Sequence, residues 1–183
     1  PVVIQEQNSY AGITNRIIAK SASKICVAYQ GMEKFFPADR IVITGNPVRQ
    51  DIVNMKALKK EGIEHFGLSA ERETILILGG SLGARTINRS IIDALGRIPE
   101  KVQLLWQTGK HYYNEAISRH KESGASNVVV IDFIKRMDLA YSLADLIISR
   151  AGAGTISELA IAGKPVILVP SPNVAEDHQT KNA

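Results

Sequence analysis

Short apolar runs rich in β-branched residues recur from residue 75 onward, and nearly every run is followed by a stretch with apolar residues at helical spacing. A buried parallel strand is a short continuous apolar run, whereas a helix packed on a sheet repeats its apolar residues every three or four positions. The predicted strands are residues 75–78, 102–108, 128–132, 146–149 and 166–169, and the predicted helices are residues 84–95, 112–123, 137–143 and 155–162. Alternating units of this size predict an α/β fold with a doubly wound parallel sheet.

The first third of the chain has fewer and shorter elements. The predicted strands here are residues 1–4, 25–28 and 41–44, and one helix is predicted for residues 13–21. Residues 40–51 include a Gly-Asn-Pro-Val-Arg turn, which we interpret as part of a crossover between two domains. Residues 54–74 are charged and weakly periodic, so no element is predicted there. Because the chain starts within a predicted strand and ends in a helix predicted for residues 176–183, we expect it to be a piece of a longer protein.

The segment 149–158, Ser-Arg-Ala-Gly-Ala-Gly-Thr-Ile-Ser-Glu, is predicted to be a strand end, a tight turn and a helix start. Gly152 and Gly154 remove side chains that would keep a ligand from the backbone, and they permit positive φ. Residues 155–157 are expected to present unpaired helical N–H groups at the positive end of a helix dipole, which suits a phosphate. The carboxylate of Glu158 could accept hydrogen bonds from a ribose diol. Taken alone, the segment is equally compatible with an ordinary turn and a capping glutamate.

A second glycine-rich turn follows another predicted strand. Residues 79–85, Gly-Gly-Ser-Leu-Gly-Ala-Arg, lie between the strand 75–78 and a predicted helix, so they belong at the same sheet edge as the first turn. Ligands of doubly wound sheets bind beyond the carboxyl ends of the strands. With Arg49 in the crossover and Ile134 after a third strand, the pattern favours a phosphate-bearing ligand. The first turn has neither the dinucleotide nor the P-loop spacing.

Composition and charge narrow the classes of function. The 183 residues carry a net charge of +4 and only 5% aromatic residues, which fits an anionic ligand or an anionic membrane surface but does not indicate nucleic acid. With 45% hydrophobic residues the chain can form a core. The single cysteine, Cys26, excludes an internal disulfide. No apolar run approaches the eighteen residues of a membrane-spanning helix.

Four stretches in this order resemble the MurG family, the undecaprenyl-diphospho-muramoylpentapeptide β-N-acetylglucosaminyltransferases of bacterial cell-wall synthesis. They are GNPVR at 45–49, GGSLGARTIN at 79–88, SRAGAGTISELAIAGKP at 149–165 and EDHQTKNA at 176–183. EQN at 6–8 and AGITN at 11–15 match the last part of that family's N-terminal domain. The resemblance implies a GT-B glycosyltransferase with two Rossmann-like domains. Residues 1–39 would end the N-terminal, acceptor domain, and residues 40–183 would form a truncated C-terminal UDP-sugar-binding domain.

The resemblance also implies a reaction and a set of donor contacts. GlcNAc would pass from UDP-GlcNAc to the 4-hydroxyl of the muramoyl group of lipid I, giving lipid II with inversion. The implied contacts are Asn8 and Gln179 on GlcNAc hydroxyls, Arg49 and Ser81 on the diphosphate, the backbone of Ile134 on uracil, Glu158 on the ribose, and the turn of Gly152, Ala153, Gly154, Thr155, Ile156 and Ser157 on the phosphates. No metal and no cofactor are implied.

The catalytic base is not identified in this chain, because the resemblance places the acceptor loop and its histidine upstream of Pro1. Gln5 stands where the family usually has histidine, and the roles of Gln5 and His178 stay open. The implied partners are UDP-GlcNAc, lipid I and an anionic membrane surface, at the cytoplasmic face of the bacterial inner membrane. Two alternatives remain. One is a UDP-GlcNAc 2-epimerase-like enzyme, and the other is a non-catalytic nucleotide-sugar-binding module.

Overall fold

A computed structural model describes residues 1–55, 58–80, 83–171 and 178–183. The chain divides into two compact units. The first unit comprises Pro1–Val48, Ala151–Ser157 and Pro170–Ala183, and the second comprises Arg49–Arg150 and Glu158–Val169. The predicted division at residue 39, which concerns the domains of the complete protein, stays a prediction.

The first unit contains a three-stranded parallel sheet in the order β1-β2-β3. Its strands are β1 (Val3–Glu6), β2 (Lys24–Val27) and β3 (Ile41–Ile43), and its helices are α1 (Ile13–Ile18) and α8 (His178–Asn182). The three predicted strands and the helix are confirmed, although α1 ends in a tighter 3₁₀ turn over Ala19–Ser21. Buried apolar side chains on β1 and β2 form the core with residues of the following loops, namely Ile4, Ile25, Val27, Met32 and Phe36.

Strand β1 runs further into the polar segment than the sequence pattern predicted. Glu6 was expected in a loop, yet it pairs with Val27 in the sheet and its side chain is only 2% exposed. A carboxylate can occupy an inward strand position when hydrogen-bond donors surround it. Glu6 has such donors in the loop and helix that follow, so the strand continues through it.

The second unit contains a five-stranded parallel sheet in the order β6-β5-β4-β7-β8. Its strands are β4 (Glu73–Leu78), β5 (Val102–Gln107), β6 (Val128–Ile131), β7 (Leu146–Ser149) and β8 (Val166–Leu168). Its helices are α2 (Gln50–Val53), α3 (Lys59–Phe66), α4 (Arg85–Ala94), α5 (Tyr113–Ser123) and α6 (Met137–Leu143), and α7 (Ala153–Ala162) runs from the first unit into the second. The predicted strand–helix alternation, and with it the α/β doubly wound class, is confirmed.

The strand order reverses at β4, which lies between β5 and β7. The chain moves outward from β4 through β5 to β6, then returns to the other side of β4 to form β7 and β8. Leu78 and Ser149, the last residues of β4 and β7, are paired with each other. Reversal points of this kind are where doubly wound sheets bind ligands, at the carboxyl edge. Both glycine-rich segments begin at this edge.

Two linked, buried hydrogen bonds fix the start of α4 against β5. The indole N–H of Trp106 donates to Oδ1 of Asn88 at 3.0 Å, and Nδ2 of Asn88 donates to the carbonyl of Thr108 at 2.8 Å. Asn88 and Trp106 have no exposed surface. Because buried polar groups stabilise a fold only when they are paired, these hydrogen bonds specify one position for the helix that follows the second glycine turn.

Helix α3 is an element that the sequence pattern did not predict. Four of its eight residues are charged, and Gly62 lies in its interior. The glycine lowers the helix propensity, and the charged residues weaken the apolar periodicity that would signal a helix. The helix packs closely on α6, whose seven residues are all buried. A Cβ atom at Gly62 would lie 2.9 Å from the Leu139 carbonyl oxygen and 2.9 Å from Cδ2 of Leu143. Tertiary packing through a glycine therefore forms this helix, and no local periodicity signals it.

We predict that Gly62→Ala lowers the free energy of unfolding, although alanine is the better helix former by about 1 kcal/mol. The added methyl group would overlap a backbone oxygen, and overpacking of this kind costs about 1–3 kcal/mol. Chemical denaturation would measure the change. Gly96→Ala is the matched control, because a Cβ there meets nothing within 4 Å. A Gly62→Ala protein as stable as the wild type would contradict the packing argument.

Candidate functional site

The start of helix α7 provides free backbone donors. Ile156 donates its N–H to the carbonyl of Gly152 at 2.9 Å, which is the first helical hydrogen bond. The preceding N–H groups, those of Ala153, Gly154 and Thr155, therefore have no helical acceptor, and no other described residue accepts from them. Three donors at the positive end of a ten-residue helix suit an anionic oxygen.

One detail of the sequence prediction for this turn is wrong. The unpaired N–H groups were expected at residues 155–157, but the helix begins two residues earlier, so Ile156 and Ser157 lie inside it. Ser157 instead donates its hydroxyl to the carbonyl of Ala153 at 3.1 Å. Neither Gly152 nor Gly154 has positive φ, because Gly154 is helical and Gly152 precedes the helix directly. A Cβ at Gly154 would point into open space, so this glycine leaves the backbone accessible and relieves no strain.

Asn46 ties the first turns of α7 to the end of β1 within the first unit. Its Nδ2 donates to the hydroxyl oxygen of Ser157 at 3.1 Å and to the carbonyl of Gln7 at 3.1 Å. The sequence analysis noted the motif that contains Asn46 but gave this residue no role. The available signal was an amide side chain in a turn directly before proline, at the crossover.

Asn8, an expected sugar contact, is held by two neighbours. Its backbone N–H and its Nδ2 donate to Oε1 of Glu6 at 3.0 and 3.1 Å, and its Oδ1 accepts from Nδ2 of Asn182 at 3.1 Å. Each end of the amide uses one of its two hydrogen-bonding positions, so one donor and one acceptor remain. Asn182, at the end of α8, was missed by the sequence analysis.

Glu6 organises the loop around Asn8. Besides the two bonds from Asn8, its Oε2 accepts from the N–H of Gly12 at 3.0 Å and from Nδ2 of Asn15 at 2.9 Å. Burial acts to raise the pKa of the Glu6 carboxyl, but the hydrogen bonds from Asn8, Asn15 and Gly12 outweigh it and hold that pKa below its usual range. The carboxylate is therefore charged at neutral pH. The sequence signal was an acidic residue placed before two asparagines and a glycine.

Gln179, the second expected sugar contact, lies in α8. Its Oε1 accepts from the backbone N–H of Ser171 at 2.8 Å, which leaves its amide NH₂ without an acceptor among the described residues. His178 precedes it, and its ring lies 6.5 Å from that of Tyr10. Gln5, whose role was left open, is exposed on β1, and its carbonyl accepts from Asn15.

In the second unit, Arg49 is paired with Asp51. The guanidinium uses its Nε and one Nη2 hydrogen for this carboxylate, with Nε to Oδ1 at 3.1 Å, and Nη2 also approaches the carbonyl of Lys135 at 3.5 Å. The hydrogen bond with Asp51 raises the pKa of Arg49, with a smaller contribution from Glu158, so its charge is permanent. The Nη1 edge has no hydrogen-bond partner among the described residues.

Ile134 was expected to contact uracil through its backbone, and one of its two backbone polar groups already has a hydrogen-bond partner. Its N–H donates to Oε1 of Gln107 at 2.9 Å, and its side chain is 2% exposed. The carbonyl oxygen is the backbone group that remains for a ligand. Ser81, expected on the diphosphate, lies outside the described residues.

Glu158 lies in the part of α7 that belongs to the second unit. It is partly buried, and its Oε2 accepts a hydrogen bond from the hydroxyl of Tyr141 at 2.9 Å. Burial raises the pKa of the Tyr141 phenol, and the adjacent Glu158 charge raises it further. The proton therefore stays on Tyr141. The other carboxylate oxygen of Glu158 has no partner within the described residues, so it can accept from a ligand hydroxyl.

The described residues offer neither a candidate metal site nor a helix that could span a membrane. No group of three or more His, Cys, Asp or Glu residues there is arranged to hold a metal ion. No helix there is both long and apolar enough to cross a membrane.

Comparisons with curated proteins find close relatives along the whole chain. The chain is 65% identical over 184 aligned residues to a protein of Parabacteroides distasonis and 60% identical over 186 to one of Bacteroides fragilis. Both carry the name UDP-N-acetylglucosamine--N-acetylmuramyl-(pentapeptide) pyrophosphoryl-undecaprenol N-acetylglucosamine transferase. All of this chain is covered, but it spans only about half the length of these relatives, 50% and 49%.

Solved structures agree with the sequence relatives. The crystal structure of Acinetobacter baumannii MurG matches 100% of this chain and 49% of its own, with a TM-score of 0.72 and 35% identity. The structure of Anabaena Alr3699/HepE in complex with UDP and glucose covers 92% of this chain and 52% of its own, with a TM-score of 0.60 and 16% identity, a likeness of fold alone.

The expected resemblance to the MurG family and the GT-B type of α/β fold are both confirmed by these matches. A family model described as the glycosyltransferase family 28 C-terminal domain matches residues 74–183, which include all of β4 but its first residue, together with β5 to β8 and α7. The chain therefore belongs to glycosyltransferase family 28.

Proposed function

We propose that this chain is the donor-binding part of an inverting transferase that moves GlcNAc from UDP-GlcNAc to the muramoyl 4-hydroxyl of lipid I, which gives lipid II in peptidoglycan synthesis. The names of relatives that are 60–65% identical over the whole chain support the reaction. The structural observation that carries it is one helix, α7, with three free N–H groups at its start and the carboxylate of Glu158 one turn later.

The backbone N–H groups of Ala153, Gly154 and Thr155 donate hydrogen bonds to the diphosphate. Arg49 supplies a permanent positive charge beside it. Negative charge grows on UDP as the glycosidic bond breaks, so fixed donors and a fixed cation at this group stabilise the transition state more than the ground state. Because the helix dipole and the guanidinium supply positive charge, the departing diphosphate is stabilised by this chain's own groups. Ser81 completes this set by resemblance.

The other donor groups orient the nucleotide and sugar. Glu158 accepts from the ribose hydroxyls, and the carbonyl of Ile134 accepts from the uracil N–H. The remaining donor and acceptor of Asn8, together with the NH₂ of Gln179, bind GlcNAc hydroxyls. The base that deprotonates the acceptor is assigned to the part of the relatives that this chain does not span. The enzyme works at the cytoplasmic face of the inner membrane as a peripheral protein, with lipid I as acceptor and anionic lipids as its surface.

We predict that the chain binds UDP-GlcNAc but transfers no sugar by itself, because it spans about half the length of its relatives and the resemblance places the acceptor loop outside it. Calorimetric titration with UDP, UDP-GlcNAc, UDP-GalNAc and NAD would test binding, with NAD as the unrelated dinucleotide. A lipid I analogue incubated with UDP-GlcNAc would test transfer. Formation of a lipid II analogue by this chain would contradict the division of roles, and turnover of UDP-GlcNAc without acceptor would favour epimerase-like chemistry.

We expect Arg49→Ala to weaken UDP and UDP-GlcNAc alike by about ten- to a hundredfold and uridine much less. A hydrogen bond to a charged partner contributes about 1.5–3 kcal/mol, and uridine lacks the diphosphate that would receive it. Arg119→Ala is the matched control, because Arg119 is an exposed helical arginine paired with Glu122. An equal loss for uridine would show that Arg49 supports only the fold.

Glu158→Gln should weaken UDP by about ten- to a hundredfold, since it keeps the shape but replaces a charged acceptor of ribose hydrogen bonds with an amide. The decisive ligand is 2′,3′-dideoxy-UDP, which has no hydroxyls to donate. Wild-type protein should bind UDP much more tightly than the dideoxy form, and the variant should bind the two almost equally. If both proteins discriminate to the same degree, Glu158 does not bind the ribose.

A further inference from the structure

Tyr141 is a buried phenol whose one polar partner among the described residues is a proposed ligand group. It lies on α6, whose residues are all buried, and it is only 1% exposed. Its hydroxyl nevertheless reaches Oε2 of Glu158 at 2.9 Å. A buried phenol needs a hydrogen-bond partner. Nothing in the proposed donor contacts gives Tyr141 itself a role, because it is too deeply buried to meet the nucleotide.

Neighbouring side chains already hold Arg49 and Glu158. Asp51 occupies the Nε–Nη2 edge of Arg49, and Tyr141 occupies Oε2 of Glu158. Oε1 of Glu158 and Nη1 of Arg49 have no partner among the described residues, so they are the atoms left for a ligand. A glutamate side chain has three rotatable bonds, so fixing one oxygen from a rigid, buried helix restricts where the other can lie.

We propose that Tyr141 is a positioning residue that fixes the Glu158 carboxylate for the ribose diol. This inference rests on the proposed function, because it assumes that Glu158 binds the ribose. Tyr141 does not touch the substrate. It acts by lowering the entropy that Glu158 loses on binding.

A double-mutant cycle with Tyr141→Phe and Glu158→Gln tests the proposal on this chain. The phenylalanine keeps the packed ring and removes only the hydroxyl. Tyr141→Phe should weaken UDP by about three- to tenfold, the effect of one hydrogen bond, and should leave 2′,3′-dideoxy-UDP almost unchanged. In the Glu158→Gln background, the same change should not alter the ratio of the two affinities. Tyr113→Phe is the matched control, since no described residue hydrogen-bonds to that phenol.

The outcomes separate this inference from the proposed function. If Glu158→Gln abolishes discrimination between UDP and its dideoxy form but Tyr141→Phe does not reduce it, the positioning role is wrong and the ribose role stands. If Glu158→Gln also leaves discrimination intact, the ribose role itself fails. An equal loss for both ligands in Tyr141→Phe would make Tyr141 purely structural and would overturn the inference.

A second measurement covers the case in which Tyr141→Phe does not fold. With 3-fluorotyrosine at position 141, the phenol and its hydrogen bond are retained, and the fluorine resonance reports the state of Glu158. We expect this resonance to move when UDP is added and much less when 2′,3′-dideoxy-UDP is added. The same response to both ligands, or to neither, would contradict the proposal.

Discussion

The pairing of β4 with β7 is the constraint on which the candidate site depends. Ser149 at the end of β7 lies opposite Leu78 at the end of β4, and both residues are buried. The chain reaches this arrangement only by reversing direction after β6, because β5 already occupies the other side of β4. Once the two strands are paired in this register, both glycine-rich segments must leave from the same edge. The register thus sets the location of α7 and of Glu158 before any ligand contact is considered.

Buried polar side chains then fix the segments that leave the sheets. Glu6 accepts four hydrogen bonds from the loop and helix that follow β1. Asn88 joins α4 to β5 by accepting a hydrogen bond from Trp106. Removing one partner of such a group leaves an unsatisfied buried atom, which costs about 1–3 kcal/mol. Loops held in this way have few alternative conformations. The candidate ligand groups are therefore carried by rigid parts of the fold.

The sequence predicted the sheets well because parallel strands are buried on both faces and appear as continuous apolar runs. It also located the turn before α7, since glycines between a strand and a helix are a local signal. It missed α3, where Gly62 is needed for close packing on α6. Helix α6 lies some 75 residues further along the chain, so no local pattern reveals this contact. It placed the free N–H groups two residues too late, because the first helical residue depends on which carbonyl accepts from Ile156. Asn182, which binds Asn8 from 174 residues away, and Tyr141, which binds Glu158 from 17 residues away, are likewise not adjacent in sequence and could not be read from it.

The groups proposed to bind the donor are already engaged with other protein groups, which bears on how affinity arises. Arg49 is held by Asp51, Gln179 by Ser171 and Glu158 by Tyr141. Each anchor uses only part of the capacity of its side chain, so a ligand can add a hydrogen bond without displacing the anchor. Immobilising a flexible side chain on binding costs about 0.5–1.5 kcal/mol, and this cost is lower for a side chain that is already fixed. Loss of an anchor should therefore weaken binding even where every contacting residue is intact. This dependence is the reason to examine Tyr141, a residue that lies beneath the site and never meets the ligand.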